Sequence, residues 1–128
     1  QRGLPAILME RGGGGKFTDS EVQAYKQDVK NIMIRMGLLS GEEVHTVQQK
    51  NVTRAEYLEA ETDGLWYPVF SAGDTFAGGA VLGTVRHIWG NLLLEYRADY
   101  PGINLYQTVS LGVKAGDPLI AYGEYVDR

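Results

Sequence analysis

A chain of 128 residues and 14.1 kDa has single-domain length, and its 44% hydrophobic and 22% charged content is that of a folded globular protein. The 17 glycines, about twice the usual share, follow no collagen-like period and stand beside only four prolines, so they mark turns rather than a triple helix or a disordered tract. A net charge of −4 excludes the basic footprint of a nucleic-acid partner, no apolar run reaches the roughly 18 residues of a membrane span, and the lack of cysteine removes disulfides, thiolate metal sites and cysteine nucleophiles.

The chain begins at Gln1 with no signal-peptide pattern, which points to a part of a longer protein. Its first apolar run, Leu4-Pro5-Ala6-Ile7-Leu8-Met9-Glu10, has the length of a buried strand and ends in an acid. Gly12–Gly15 then breaks regular structure. That tract lacks the G-x-x-x-x-G-K-[ST] spacing of a phosphate loop, and no G-x-S-x-G elbow exists for a serine nucleophile. Thr18-Asp19-Ser20-Glu21 is a capping box, in which Thr and Glu satisfy the first free backbone donors of a helix. Val22, Tyr25, Val29, Ile32, Met33 and Met36 follow at steps of three or four, and Gly37 suits the left-handed closing position, so the pattern predicts one amphipathic helix over 19–36. Its stripe reads as core.

Leu38 to Val52 is polar and reads as a linker with one strand near Val44–Val47, and a domain boundary is expected at 40–50. Val52 to Glu61 reads as a strand and Asp63-Gly64 as a turn. The chain then repeats itself. Gly64–Phe70, Ala72-Gly73-Asp74 and Gly79–Val85 are followed by Gly102–Tyr106, Ala115-Gly116-Asp117 and Pro118–Tyr122. Each copy reads as a glycine turn, a β stretch, an Ala-Gly-Asp turn and a final apolar strand. Between the copies, Arg86–Asn91 and Leu92–Arg97 read as the tip and return strand of a hairpin.

Taken in order, Pro5–Glu10, Gly12–Gly15, Asp19–Leu39 and the G-x(8)-G-D-x(4)-G-x-x-L-G segment Gly64–Gly83 resemble the C-terminal portion of the succinylglutamate desuccinylase/aspartoacylase family of zinc-dependent N-acyl amino acid hydrolases. The resemblance covers nearly the whole chain. It implies an α+β, mostly β architecture: residues 1–39 as a strand and helix from the end of a carboxypeptidase-like catalytic domain, and residues 40–128 as a small β-barrel or barrel-sandwich domain similar to lipoyl and biotinyl domains.

The implied reaction is hydrolysis of the amide of a small-molecule N-acyl amino acid. The implied cofactor is zinc, held by an H-x-x-E segment and a later His upstream of this chain. His45 and His87 are followed three residues on by Gln48 and Gly90, so no metal ligand is expected here, and the isolated chain is expected to be inactive. Glu10 matches the family's catalytic Glu, the acid that takes a proton from water and passes it to the leaving nitrogen. Arg11 beside it departs from the pattern expected there. Arg86, His87 and Trp89 at the hairpin tip, with Tyr106, are the expected substrate contacts, Arg pairing with a carboxylate and Trp walling the pocket. A cytoplasmic enzyme with no nucleic-acid or membrane partner completes the expectation, and the exposed helix stripe implies that the isolated chain forms a homo-oligomer or lays the stripe against its own β domain.

Two other readings compete. A biotinyl or lipoyl carrier shares the two-halved β pattern, but carriers display a lysine at the hairpin between the halves, and Arg86–Asn91 has none; Lys114 lies within the second half. A protein-docking module without catalysis leaves the leading Glu, glycine tract and capped helix unexplained.

Overall fold

The structure is a computed structural model that describes Gly3, residues 6–45 and residues 49–127. The chain divides into two compact units, residues 1–47 and 48–128.

The first unit is built around helix α1, Asp19–Arg35, whose ends form as the sequence implies. The Thr18 hydroxyl accepts from the Glu21 N–H, and the Glu21 carboxylate accepts from the Thr18 N–H at 2.6 Å. At the other end Gly37 takes φ +72°; its N–H reaches Ile34 O and the Leu38 N–H reaches Met33 O, both at 2.9 Å. This double bond pattern is a Schellman closure. Of the strand expected before the helix, residues 6–10 form no ladder, and Leu4 and Pro5 lie outside the described residues. A single bridge between Gly13 and Lys16 closes the glycine tract instead. Val44 and His45 are irregular, and the rest of the strand expected at 44–47 lies outside the described residues. No described residue of this unit is buried.

The second unit has eight strands: β1 Lys50–Glu59, β2 Gly64–Pro68, β3 Thr75–Phe76, β4 Val81–Arg86, β5 Leu92–Arg97, β6 Gly102–Gln107, β7 Gly112–Val113 and β8 Pro118–Asp127. They form two antiparallel, unclosed four-stranded sheets, ordered β5-β4-β2-β7 and β1-β8-β6-β3. The two orders are the same under the exchange of β1–β4 with β5–β8, so the repeat is wider than the sequence indicates. Leu92–Arg97 is the first strand of the second half, equivalent to β1, rather than a connector. Each half supplies the two central strands of one sheet and the two edge strands of the other.

The two Ala-Gly-Asp turns share one geometry. Gly73 and Gly116 have φ near +90°, and Asp74 and Asp117 accept the Ser71 and Lys114 N–H groups at 2.7 and 2.8 Å. They are not counterparts, however: the first precedes the short strand β3 and the second follows β7. The true counterpart of Gly116 is Gly79, since their N–H groups reach the equivalent carbonyls of Ala60 and Ala98 at 2.7 Å. Turn chemistry is local, so the same three residues recur wherever the chain must reverse.

One apolar core joins both sheets, with Trp66, Leu82, Val85 and Tyr96 from one and Phe76, Leu119 and Tyr122 from the other. Trp66, 2% exposed, lies across Gly83, where a Cβ would stand 2.3 Å from its ring, and meets Tyr96 edge-on at 5.7 Å. Glycine at position 83 is therefore the condition for the indole to fit.

Candidate functional site

Glu10 is exposed and lies in an irregular stretch leading into the glycine tract. Both of its neighbours are tied to α1. The Tyr25 hydroxyl donates to the Met9 carbonyl at 2.8 Å, and Arg11 donates to Asp28 Oδ2 from Nε at 3.0 Å and from Nη2 at 2.5 Å. The same guanidinium stands 5.8 Å from the centre of the Tyr25 ring. No hydrogen bond or ion pair from a described residue reaches the Glu10 carboxylate itself.

Arg86, His87 and Trp89 come together at the β4–β5 tip. The turn is closed by the His87 N–H on Asn91 O at 2.8 Å and the Gly90 N–H on His87 O at 2.7 Å, with Gly90 at φ +88°. His87 Nδ1 accepts the Trp89 N–H at 3.3 Å. Arg86 donates to Thr84 Oγ1 at 3.2 Å and lies 5.6 Å from the centre of the Tyr67 ring, so a strand neighbour and a cross-strand aromatic hold it. Trp89 is 82% exposed and Ile88 69%, an apolar tip standing out of the unit. Tyr106 does not join them. It belongs to β6 in the other sheet, where its ring meets Tyr57 of β1 at 6.3 Å.

Sequence reasoning overlooked Tyr67, Tyr25 and Asp28. Tyr67 is revealed only by the β2–β4 register, which places it opposite Thr84. Tyr25 reads as core stripe, and nothing in the sequence pattern singles out Asp28. The surface of α1 also carries an apolar cleft of about 230 Å³ lined by Asn31, Ile32, Arg35, Met36 and Glu43.

Among the described residues no group of three or more His, Asp or Glu side chains stands close enough together to hold a metal ion. His45 Nε2 lies 3.1 Å from Glu43, and His87 is engaged by its own turn. These residues therefore do not fit a zinc centre.

No family model and no curated protein matches this chain. Solved structures do. The product-bound ectoine utilization protein EutE (DoeB) from Ruegeria pomeroyi matches with 28% identity and a TM-score of 0.75, over 88% of this chain and 36% of that one. A succinylglutamate desuccinylase from Silicibacter sp. TM1040 matches with 27% identity and a TM-score of 0.72 over the same shares. A succinylglutamate desuccinylase/aspartoacylase from Rhodobacter sphaeroides, at 20% identity and a TM-score of 0.71 over 89% of this chain and 37% of that one, shares the fold. The chain spans about a third of the length of these proteins, and the match falls on their C-terminal part. Among the described residues, no helix is long and apolar enough to cross a membrane.

Proposed function

We propose that this chain, which has the fold of the C-terminal portion of succinylglutamate desuccinylase/aspartoacylase family proteins, is the rear part of a zinc-dependent hydrolase that cleaves the amide of an N-acyl amino acid. The observation that carries the reading is the similarity, at 27–28% identity over 88% of the chain, to a desuccinylase and to an ectoine utilization protein. In this reading residues 1–39 end the catalytic domain and residues 40–128 form the β domain. The zinc belongs to residues outside this chain, and by itself the chain has no turnover.

Glu10 is the proton carrier. Its carboxylate, with no partner among the described residues, takes a proton from the attacking water and returns it to the nitrogen that leaves as an amine. General acid–base transfer of this kind contributes roughly 10²–10⁴-fold to rate. Arg86 meets the carboxylate of the substrate, and Trp89 and His87 border the pocket. Tyr106, on the other sheet, is the weakest of the proposed contacts. The carrier reading is disfavoured by the tip, where residues 86–91 contain no lysine. The enzyme is cytoplasmic in this reading, and its helix stripe is covered by further protein, whether the rest of the domain or a second copy.

The test uses the full-length gene product with N-succinylglutamate and an N-acylated aspartate as probes. Glu10→Gln is expected to lower kcat by roughly 10²–10⁴-fold with zinc content unchanged. Near-normal turnover in that variant removes Glu10 from the mechanism, and no hydrolysis of any N-acyl amino acid by the unaltered protein removes the reaction class.

A further inference from the structure

We infer that Tyr25 and the Arg11–Asp28 pair are positioning residues that hold Glu10 in place, an inference that rests on the catalytic role proposed above for that carboxylate. Glu10 lies in neither a helix nor a strand, so no backbone ladder fixes its Cα. Beyond Arg11 come Gly12, Gly14 and Gly15, all in the left-handed region, at φ +75°, +60° and +70°. Such a stretch has maximal backbone freedom. A catalytic acid on it would wander unless something outside the stretch restrained it.

The restraint is supplied from one helix at two points. Tyr25 and Asp28 are three residues apart on α1 and therefore share a face. Tyr25 holds the carbonyl of residue 9, and Asp28 holds the side chain of residue 11, so the residue between them is bracketed. The two anchors brace each other through the Arg11 guanidinium over the Tyr25 ring. The helix that carries them is fixed at both ends by the capping box and the Schellman closure. Arg11, the residue that departs from the family's pattern, thereby acquires a role. Its charge is engaged by Asp28, which leaves the Glu10 carboxylate without a partner among the described residues.

A displacement of the order of 1 Å at a catalytic group costs roughly 10²-fold in rate. Tyr25→Phe and Asp28→Asn are each expected to lower kcat of the full-length enzyme about tenfold, a partial displacement, with KM and zinc content unchanged. In the Glu10→Gln background neither change should lower kcat further, because both act through the missing carboxylate. Arg11→Lys, which keeps one charged bond to Asp28, should retain more activity than Arg11→Ala. In the full-length protein, the double variant Tyr25→Phe/Asp28→Asn should drop the order parameter of the Glu10 amide from the rigid range near 0.85 towards 0.6, while the amides of Asp19–Arg35 stay unchanged.

Losses that persist undiminished in the Glu10→Gln background would make the two residues merely structural and overturn the inference. So would an unchanged Glu10 order parameter, or full kcat in both single variants while Glu10→Gln is inactive. If Glu10→Gln itself has normal turnover, the catalytic reading of Glu10 fails first and the positioning role falls with it.

Discussion

Helix α1 and strand β8 belong to different units, and they are held in opposite ways. The helix is specified at its ends, by Thr18 and Glu21 at one and Gly37 at the other, while none of its residues is buried. Strand β8 has no such local signature. It lies between β1 and β6, and its residues Leu119–Tyr122 are all at most 1% exposed. Local chemistry can build an element without a core. A core can impose one on residues whose own preferences are weak.

That contrast is open to direct attack, beginning with its largest consequence. Trp66→Ala should destabilise the second unit by about 3–5 kcal/mol, since it removes a fully buried indole and leaves a void over Gly83. Chemical denaturation followed through Tyr and Trp fluorescence would measure it. A loss below about 1 kcal/mol would mean that the sheets are held by their ladders rather than by the core.

The next effect is on pH. Burial raises the pKa of Tyr100, and burial likewise raises that of Tyr122, only partly opposed by the Asp99 N–H that bonds its hydroxyl. A raised folded-state pKa means that stability is whole below the unfolded tyrosine value near 10 and declines as pH climbs past it. Equilibrium unfolding of the second unit should therefore be flat from neutral pH to about 10 and weaken above it. Tyr100→Phe should flatten the decline, and an unchanged slope would deny the tyrosine a buried ionisation.

The smallest effect concerns the helix. Thr18→Ala should cost about 1 kcal/mol, the usual worth of such a cap. Hydrogen exchange should register it as faster opening of the first turn of α1, with the amides of β4 and β8 unaffected. Exchange that quickened equally in both units would show that they do not stand independently.

What could be read from sequence follows the same division. The helix was legible almost to the residue, 19–36 expected against Asp19–Arg35, because caps are written in adjacent side chains. The hairpin tip was legible for the same reason. The repeat was legible only where the halves share residues, in β2 with β6 and β4 with β8. Strands β1 and β5 are equivalent in pairing, yet Lys50–Glu59 and Leu92–Arg97 share little sequence, and the exchange of strands between sheets leaves no linear trace. The run before Glu10 misled because apolar length predicts a strand only where a neighbour exists to pair with it. At the candidate site, the acid ahead of a glycine tract and the residues of the tip could be picked out. Tyr25 could not, because a hydroxyl bonding a carbonyl sixteen residues back looks, in sequence, like one more member of an apolar stripe.

The pairing of β1 with β8 has a consequence for how the second unit can be cut and joined. Lys50 stands directly opposite Asp127, so the two ends of the described β unit lie side by side. A short bridge between those two points would make the fold a ring. Reopening that ring at Gly90, outside every strand, would yield a permuted protein with an intact core, and the β unit could be grafted into a host loop at no cost in span.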